Sequence, residues 1–244
     1  MKNSHKVAIG MVNDGSINAN LVVDLLQIRS KRSDRMQEFF QVSNIGLLTR
    51  SRNLLVKTFL DQSKADWLLM MDADERLTLN TWDKLIDAAH DKERPIVSAL
   101  VFAAFFNDED GSLRPVPTIY RDLPDSGLQA IDDYSIDTVL EVDAAGTGCL
   151  LIHRSILELL QQKATENQGK DWAWFVDGAI AGRWFGEDLL FSKRLKSLGV
   201  KIHAHTGAIC AHNKSFWLDE KHHRIFREAA IESKLLEVKQ EGQA

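Results

Sequence analysis

The sequence predicts an α/β fold with a mostly parallel central sheet flanked by helices. Three observations carry that expectation. Apolar runs of strand length alternate with stretches whose apolar residues recur at helical spacing, the order of a chain built from βαβ units. The run 67–71, Trp-Leu-Leu-Met-Met, is apolar without alternation, as a strand buried on both faces of a parallel sheet must be. A chain of 244 residues, 44% hydrophobic and 27% charged, can bury about 70–75% of its unfolded surface without a disulfide or structural metal.

Residues 7–12 form the first strand, punctuated by Asn13-Asp14-Gly15. Leu21, Val22, Leu25, Leu26 and Ile28 then share one helical stripe, and 38–42 reads as the second strand. Leu54, Leu55, Thr58 and Phe59 mark a second helix that stops before Ala65-Asp66, and the strand 67–71 ends at Asp72. A helix near 80–89 follows. Pro95 precedes a strand at 96–102, after which the pattern dissolves over 107–137, which holds three of the four prolines. A connection of that length is a candidate functional segment. Order resumes with a strand at 144–152, a helix at 154–162 and a Trp-rich polar segment at 170–185. Leu189, Leu190, Ser192, Lys193 and Leu195 place a helix over 187–198, Gly199 stops it, and 200–205 returns as a strand. Ile225, Phe226, Ala229, Ile231, Leu235 and Leu236 stripe a terminal amphipathic helix within 216–239, whose apolar face needs cover from the domain or from a second copy in a homodimer. The expected organisation is a domain over 1–215 and a helical extension over 216–244.

Composition narrows the function classes. Lys and Arg total 30 against 35 Asp and Glu, and a net charge of −5 provides no broad field for a polyanion, so a nucleic-acid partner is not expected. Cys149 and Cys210 have no CxxC spacing, which points to a reducing, cytoplasmic setting rather than to a zinc site or a disulfide framework. The first apolar run, 7–12, is too short for a signal-peptide core or a transmembrane segment, and no later run is longer than a strand.

Asp66 to Glu75 is the most informative stretch, because a buried strand seldom ends in three carboxylates unless a cation or solvent receives them. Strand carboxyl ends are where open α/β sheets bind ligands, and Asp72 and Asp74 can present oxygens to one hard divalent ion. The same residues also read as a solvated acidic turn capping the next helix. Gly186-Glu187-Asp188 places two carboxylates at a helix start, where the helix dipole alone would favour them. His212 follows the last predicted strand and, taken singly, reads as a hydrogen-bonded structural residue.

Together these pieces have a recognisable order. Arg52-Asn53-Leu54-Leu55, then the strand ending in Asp72-Ala73-Asp74, then Gly146-Thr147-Gly148 leading to Ile152, then Gly186-Glu187-Asp188 with Leu198-Gly199, and finally His212, resemble the family-2-like group of GT-A glycosyltransferases. The resemblance runs from about residue 5 to residue 213. It implies a single Rossmann-like GT-A domain that takes a nucleotide-diphosphate sugar, with UDP as the usual nucleotide, and transfers the sugar to an acceptor hydroxyl on a glycan, protein or lipid-linked molecule. It implies Asp74 and His212 as direct ligands of Mn2+ or Mg2+, with Asp72 touching the ribose or reaching the metal through water. Arg52 falls where a donor-contacting cation is placed, with a surface salt bridge as the competing reading, and Val12, Asp14 and Gly148 are the other expected donor-side contacts. Asp188 aligns with the general base of inverting members, with Glu187 beside it.

The pattern also departs from that group. Its commonest members carry Asp-Gly-Ser-Thr-Asp after the second strand, whereas here Asp14-Gly15-Ser16 follows the first and the second ends in Val42-Ser43-Asn44. Acceptor contacts are expected from 107–137 and 170–185. In the latter, Trp172, Trp174, Phe175, Trp184 and Phe185 suit either stacking on sugar rings or pinning a long loop. His203 and His205 are expected to pack rather than bind a second metal, and Arg29, Lys31, Arg32 and Arg35 to form a solvated turn. Two other classes remain open: a non-catalytic nucleotide- or carbohydrate-binding domain, and a nucleotidyltransferase, although no G-x-x-x-x-G-K-[ST] loop is present.

Overall fold

Strand β1 (Val7–Asn13) is paired in parallel on both sides, with β2 (Met36–Ser43) and β3 (Trp67–Asp72). The computed structural model describes residues 5–43, 46–106, 112–123, 127–168 and 173–215, together with 220, 223, 224, 227 and 231. Helices α1 (Ala19–Lys31) and α2 (Leu48–Gln62) make the crossovers between these three strands, and α3 (Leu79–Ala88) leads from β3 to β4 (Ile96–Phe106). Asn18 and Thr78 start α1 and α3, each accepting a bond from a first-turn N–H, that of Asn20 or Thr81.

A strand from further along the chain, β10 (Cys149–His153), inserts antiparallel between β3 and β4. Strand β13 (Ile202–Cys210) lies parallel to β4, and β8 (Val139–Val142) closes that edge antiparallel. The sheet is therefore mixed rather than mostly parallel: β1, β2, β3, β4 and β13 share one direction, but β10 and β8 run against it, so that antiparallel pairings are as frequent as parallel ones among those described. Burial could not reveal the reversal, since β10 is as buried as a parallel core strand.

Strand periodicity divides the core into two layers. Ala8, Val12, Leu68 and Met70 face Leu55, Val56 and Phe59 of α2 and Ile156, Leu157 and Leu160 of α4 (Arg154–Gln168). Val7, Ile9, Met11, Trp67, Leu69 and Met71 face Leu21 and Ile28 of α1 and Trp82, Leu85 and Ile86 of α3. Helix and sheet approach closely at Gly10, where a Cβ would lie 2.8 Å from the Leu55 side chain. That contact lets α2 sit directly on β1.

Two further expectations are corrected. The stretch 107–137 is not featureless: it contributes β5 (Leu113–Pro117), β6 (Ile119–Leu123) and β7 (Gly127–Ala130). The strand expected at 144–152 is broken at Gly146-Thr147-Gly148 into β9 (Ala144–Ala145), which pairs with β6, and β10. Gly146 N donates to Thr118 O at 2.8 Å and Gly148 O accepts from Asp72 N at 2.9 Å, so this tripeptide hands the chain from the small sheet to the large one.

The chain divides into two compact units, Met1–Phe102 with Pro117–Asn213, and Ala103–Val116 with Lys214–Ala244. Of the expected terminal helix, only 220, 223, 224, 227 and 231 are described, all helical. Ile225, Phe226, Ala229, Leu235 and Leu236 lie outside the described residues. Among the described residues no helix is long and apolar enough to cross a membrane.

Candidate active site

All of the site lies in the first unit. Val12 stands in register with Asp72, which brings the carboxyl ends of β1 and β3 side by side. Beyond Asp72 the chain turns and bridges to the segment after β13: Asn213 N donates to Asp74 O at 2.7 Å and Arg76 N to Ala211 O at 2.8 Å. That short ladder carries His212 to Asp74. Its Nε2 lies 3.0 Å from Asp74 Oδ2, and its Nδ1 lies 3.0 Å from the Phe102 carbonyl oxygen. With Nδ1–H donated to the carbonyl, Nε2 faces the carboxylate, and a proton or a cation must lie between them.

Glu75 counts in the sequence among the three carboxylates that end the strand, but nothing there assigns it as a ligand. It is 1% exposed and neither carboxyl oxygen has a hydrogen-bond partner. Burial, with the Cys210 thiol and then Asp72 and Asp74 nearby, pushes its carboxyl up to about 11. A Cβ on Gly148 would collide with Glu75 Oε1, so the glycine is what makes room for the carboxyl. Neighbours in an extended chain point to opposite sides, so periodicity does not suggest Asp74 and Glu75 as partners. The turn after β3 overrides that rule.

One ligand atom each from Asp74, Glu75 and His212 lie within 4.8 Å of one another. Two ligands about 2.1 Å from one small hard cation can be separated by no more than about twice that distance, so a side-chain adjustment of under about 1 Å lets the trio share an ion. Two carboxylates and an imidazole suit a divalent metal, and the orphaned Glu75 oxygens supply the unfilled valence.

Asp72 stands beside this trio rather than within it. Arg52, 3% exposed on α2, places Nη2 at 3.1 Å from both Asp72 oxygens and Nη1 on Glu187. Glu187 and Asp188 open α5 (Glu187–Ser197), as the Gly186-Glu187-Asp188 pattern predicts. Asp188 Oδ1 accepts from Leu189 N at 2.7 Å. Helix position alone would hold this carboxylate ionised, but burial outweighs Leu189 and Arg52 and pushes Asp188 above the usual range. The Tyr120 hydroxyl, pushed up by burial and by Asp188, is a second neighbour that the sequence did not suggest.

The remaining expected residues fall in two places. Asp14 accepts from Ser16 N and Oγ at 3.1 and 2.8 Å, which holds its exposed carboxylate below the usual range. Among the described residues, seven buried side-chain polar atoms lack a partner, and five belong to Asn13, Arg52, Glu75 and Thr147, at or near these strand ends. Unsatisfied groups concentrated there mark where a polar ligand would be received. Away from the strand ends, Trp174 and Phe175 are core residues. Trp174 Nε1 donates to Leu157 O at 3.0 Å, and Phe175 stacks on Phe191 with ring centroids 4.5 Å apart. Trp184 is 73% exposed on the hairpin of β11 (Gly178–Ile180) and β12 (Arg183–Phe185). Trp172 lies outside the described residues. His203 and His205 are half-buried, and burial lowers both. In the basic run, Arg32 pairs with Asp83, Arg35 with Asp87, and Arg29 donates to Met36 O.

No family profile and no curated protein matches the chain. Solved structures do. GalNAc-T7, determined with UDP, GalNAc and Mn2+, aligns at 13% identity over 87% of this chain and 44% of its own, with a TM-score of 0.53. A197 from STIV aligns at 16% identity over 89% of this chain and 99% of its own, with a TM-score of 0.49. This chain thus spans less than half of GalNAc-T7. At such identity the likeness to that glycosyltransferase concerns the fold alone: the mixed α/β architecture is GT-A-like.

Proposed function

We propose that this protein is a metal-dependent glycosyltransferase that moves a sugar from a nucleotide-diphosphate sugar, with UDP as the nucleotide, to an acceptor hydroxyl, and that residues 1–215 form its catalytic domain. One observation carries the reading: His212 and Asp74, 138 positions apart, converge at the strand ends of a GT-A-like sheet beside Asp72. Bound by Asp74 and His212, Mn2+ or Mg2+ would supply Lewis-acid stabilisation of the diphosphate leaving group. Asp72 receives the donor ribose, with Arg52 fixing its carboxylate. Val12, Asp14 and Gly148 border the nucleotide side.

Asp188 takes the proton from the acceptor hydroxyl, and its raised pKa brings it nearer the pH at which a base both stays ionised and accepts a proton well. Glu187 holds Arg52 and so positions Asp72 and the start of α5. A panel of nucleotide sugars, titrated with and without Mn2+ and followed for release of nucleoside diphosphate, tests the reading. UDP-sugar binding that requires the metal, with turnover abolished by EDTA, is expected. Metal-independent binding, or binding with no turnover for any acceptor, would overturn it in favour of a binding domain.

A further inference from the structure

We propose that Asp74, Glu75 and His212 form a three-donor site that takes up Mn2+ in the absence of nucleotide and prefers it to Mg2+, with Glu75 as the buried third ligand. The inference rests on the cation site of the proposed function but not on sugar transfer. Asp74 and His212 alone would leave most of a cation's coordination to the diphosphate, so the metal would arrive with the nucleotide. A third protein donor removes that dependence.

Glu75 has the properties required. Its side chain is enclosed, with 1% exposure, and both oxygens lack a partner while lying beside the Asp74–His212 pair. The two carboxylates neutralise a dication, which makes their close approach favourable. His212 is already oriented, with the Phe102 carbonyl 3.0 Å from Nδ1 and Nε2 facing Asp74. Selectivity follows from the donor set: Mg2+ favours six oxygens and gives up water reluctantly, whereas Mn2+ accepts an imidazole nitrogen. Gly148 forms the wall that keeps Glu75 in place.

The experiment is a titration of the full chain with Mn2+ alone, reading free Mn2+ by electron paramagnetic resonance. One Mn2+ per chain is expected, resistant to a large excess of Mg2+. Glu75→Gln should weaken binding by at least about tenfold, the lower range for loss of a group that shapes a metal site. Asp61→Asn, at an exposed carboxylate on α2, should leave it unchanged. Gly148→Ala is the second route, because its methyl displaces the intact Glu75 carboxyl and should weaken binding similarly, with melting temperature checking that each variant folds. Wild-type affinity in both Glu75→Gln and Gly148→Ala, no binding without nucleotide, or displacement by equimolar Mg2+ would each overturn the proposal. Mn2+ uptake that depends on Glu75 without turnover would leave it standing and sink the transferase reading. Turnover with Mn2+ bound only alongside UDP would do the reverse.

Discussion

Arg52 sits astride the Asp72 carboxylate, one terminal nitrogen 3.1 Å from each oxygen, while its other terminal nitrogen is held by Glu187. A single buried cation thus ties α2 to the end of β3 and to the start of α5. Removing it leaves two acidic groups facing each other without a counter-charge. Arg52→Met should destabilise the fold by about 3 kcal/mol in urea unfolding, the cost of breaking a buried pair. Arg52→Lys should recover only part, because an ammonium lacks the planar fork that serves two carboxylates. A loss below about 1 kcal/mol, typical of surface pairs, would show that solvent already screens the triad.

Asp188 should make activity and stability oppose each other along the pH axis. On the transferase reading turnover needs the ionised carboxylate, so its acid limb should fall above the ordinary aspartate range. Stability runs the other way: with the folded value raised, the favourable contribution is complete below the unfolded pKa and is lost as pH rises through the folded one. Asp188→Asn should therefore lower turnover by about 10²-fold or more while leaving donor affinity intact and raising the melting temperature at neutral pH. Glu187→Gln should cost less turnover. Near-normal turnover in the Asn variant, or retention of anomeric configuration in the product, would remove the general-base role.

The Gly10–Leu55 contact predicts a non-additive pair. Gly10→Ala should cost about 1–3 kcal/mol by overpacking, and Leu55→Ala about 2–5 kcal/mol by leaving a cavity. In the double variant the new methyl enters the space that Leu55 vacates, so the combined loss should be smaller than the sum. Additive losses in a double-mutant cycle would place the strain elsewhere.

Two tryptophans ten residues apart should respond in opposite ways. Trp174→Ala empties a core position and should cost about 3–5 kcal/mol. Trp184→Ala should alter stability by no more than about 0.5 kcal/mol. On the transferase reading, Trp184→Ala should also raise acceptor KM about 2- to 10-fold, equivalent to one aromatic stack of roughly 0.5–1.5 kcal/mol, with donor affinity unchanged. An acceptor KM equal to wild type would leave Trp184 without a part in substrate binding.

What could be read in the sequence were features with a local period. The unbroken apolar run before Asp72 and the stripe through Leu55 and Phe59 locate β3 and α2 because each reports its own burial. The closeness of Asp74 and His212 came from motif order. Less could be said of Glu75, since Asp-Ala-Asp-Glu reads as an acidic turn until a bridge 137 positions away encloses it. The break at Gly146-Thr147-Gly148 was likewise hidden, because Ala144, Ala145 and Cys149 are all buried and the change of sheet leaves no mark on hydropathy. For Arg52 the sequence leaves a donor contact and a surface salt bridge both open, because nothing local announces that its counter-charges are Asp72 on β3 and Glu187 on α5 or that the arginine is buried.

The last long strand in sequence, β13, is an inner strand of the sheet, with β4 on one side and β8 on the other. A ribosome must therefore release the chain through Cys210 before β4, which also pairs with β5 and β10, gains β13 beside it. Until then the growing chain carries Asp72 and Asp74 on a sheet with an open edge, prone to pair with other chains and unable to assemble Asp74 with His212. Cation affinity should consequently switch on only once the chain has been made through His212, so that products shortened before it take up no metal there, and metal uptake would serve as a clock for the docking of β13.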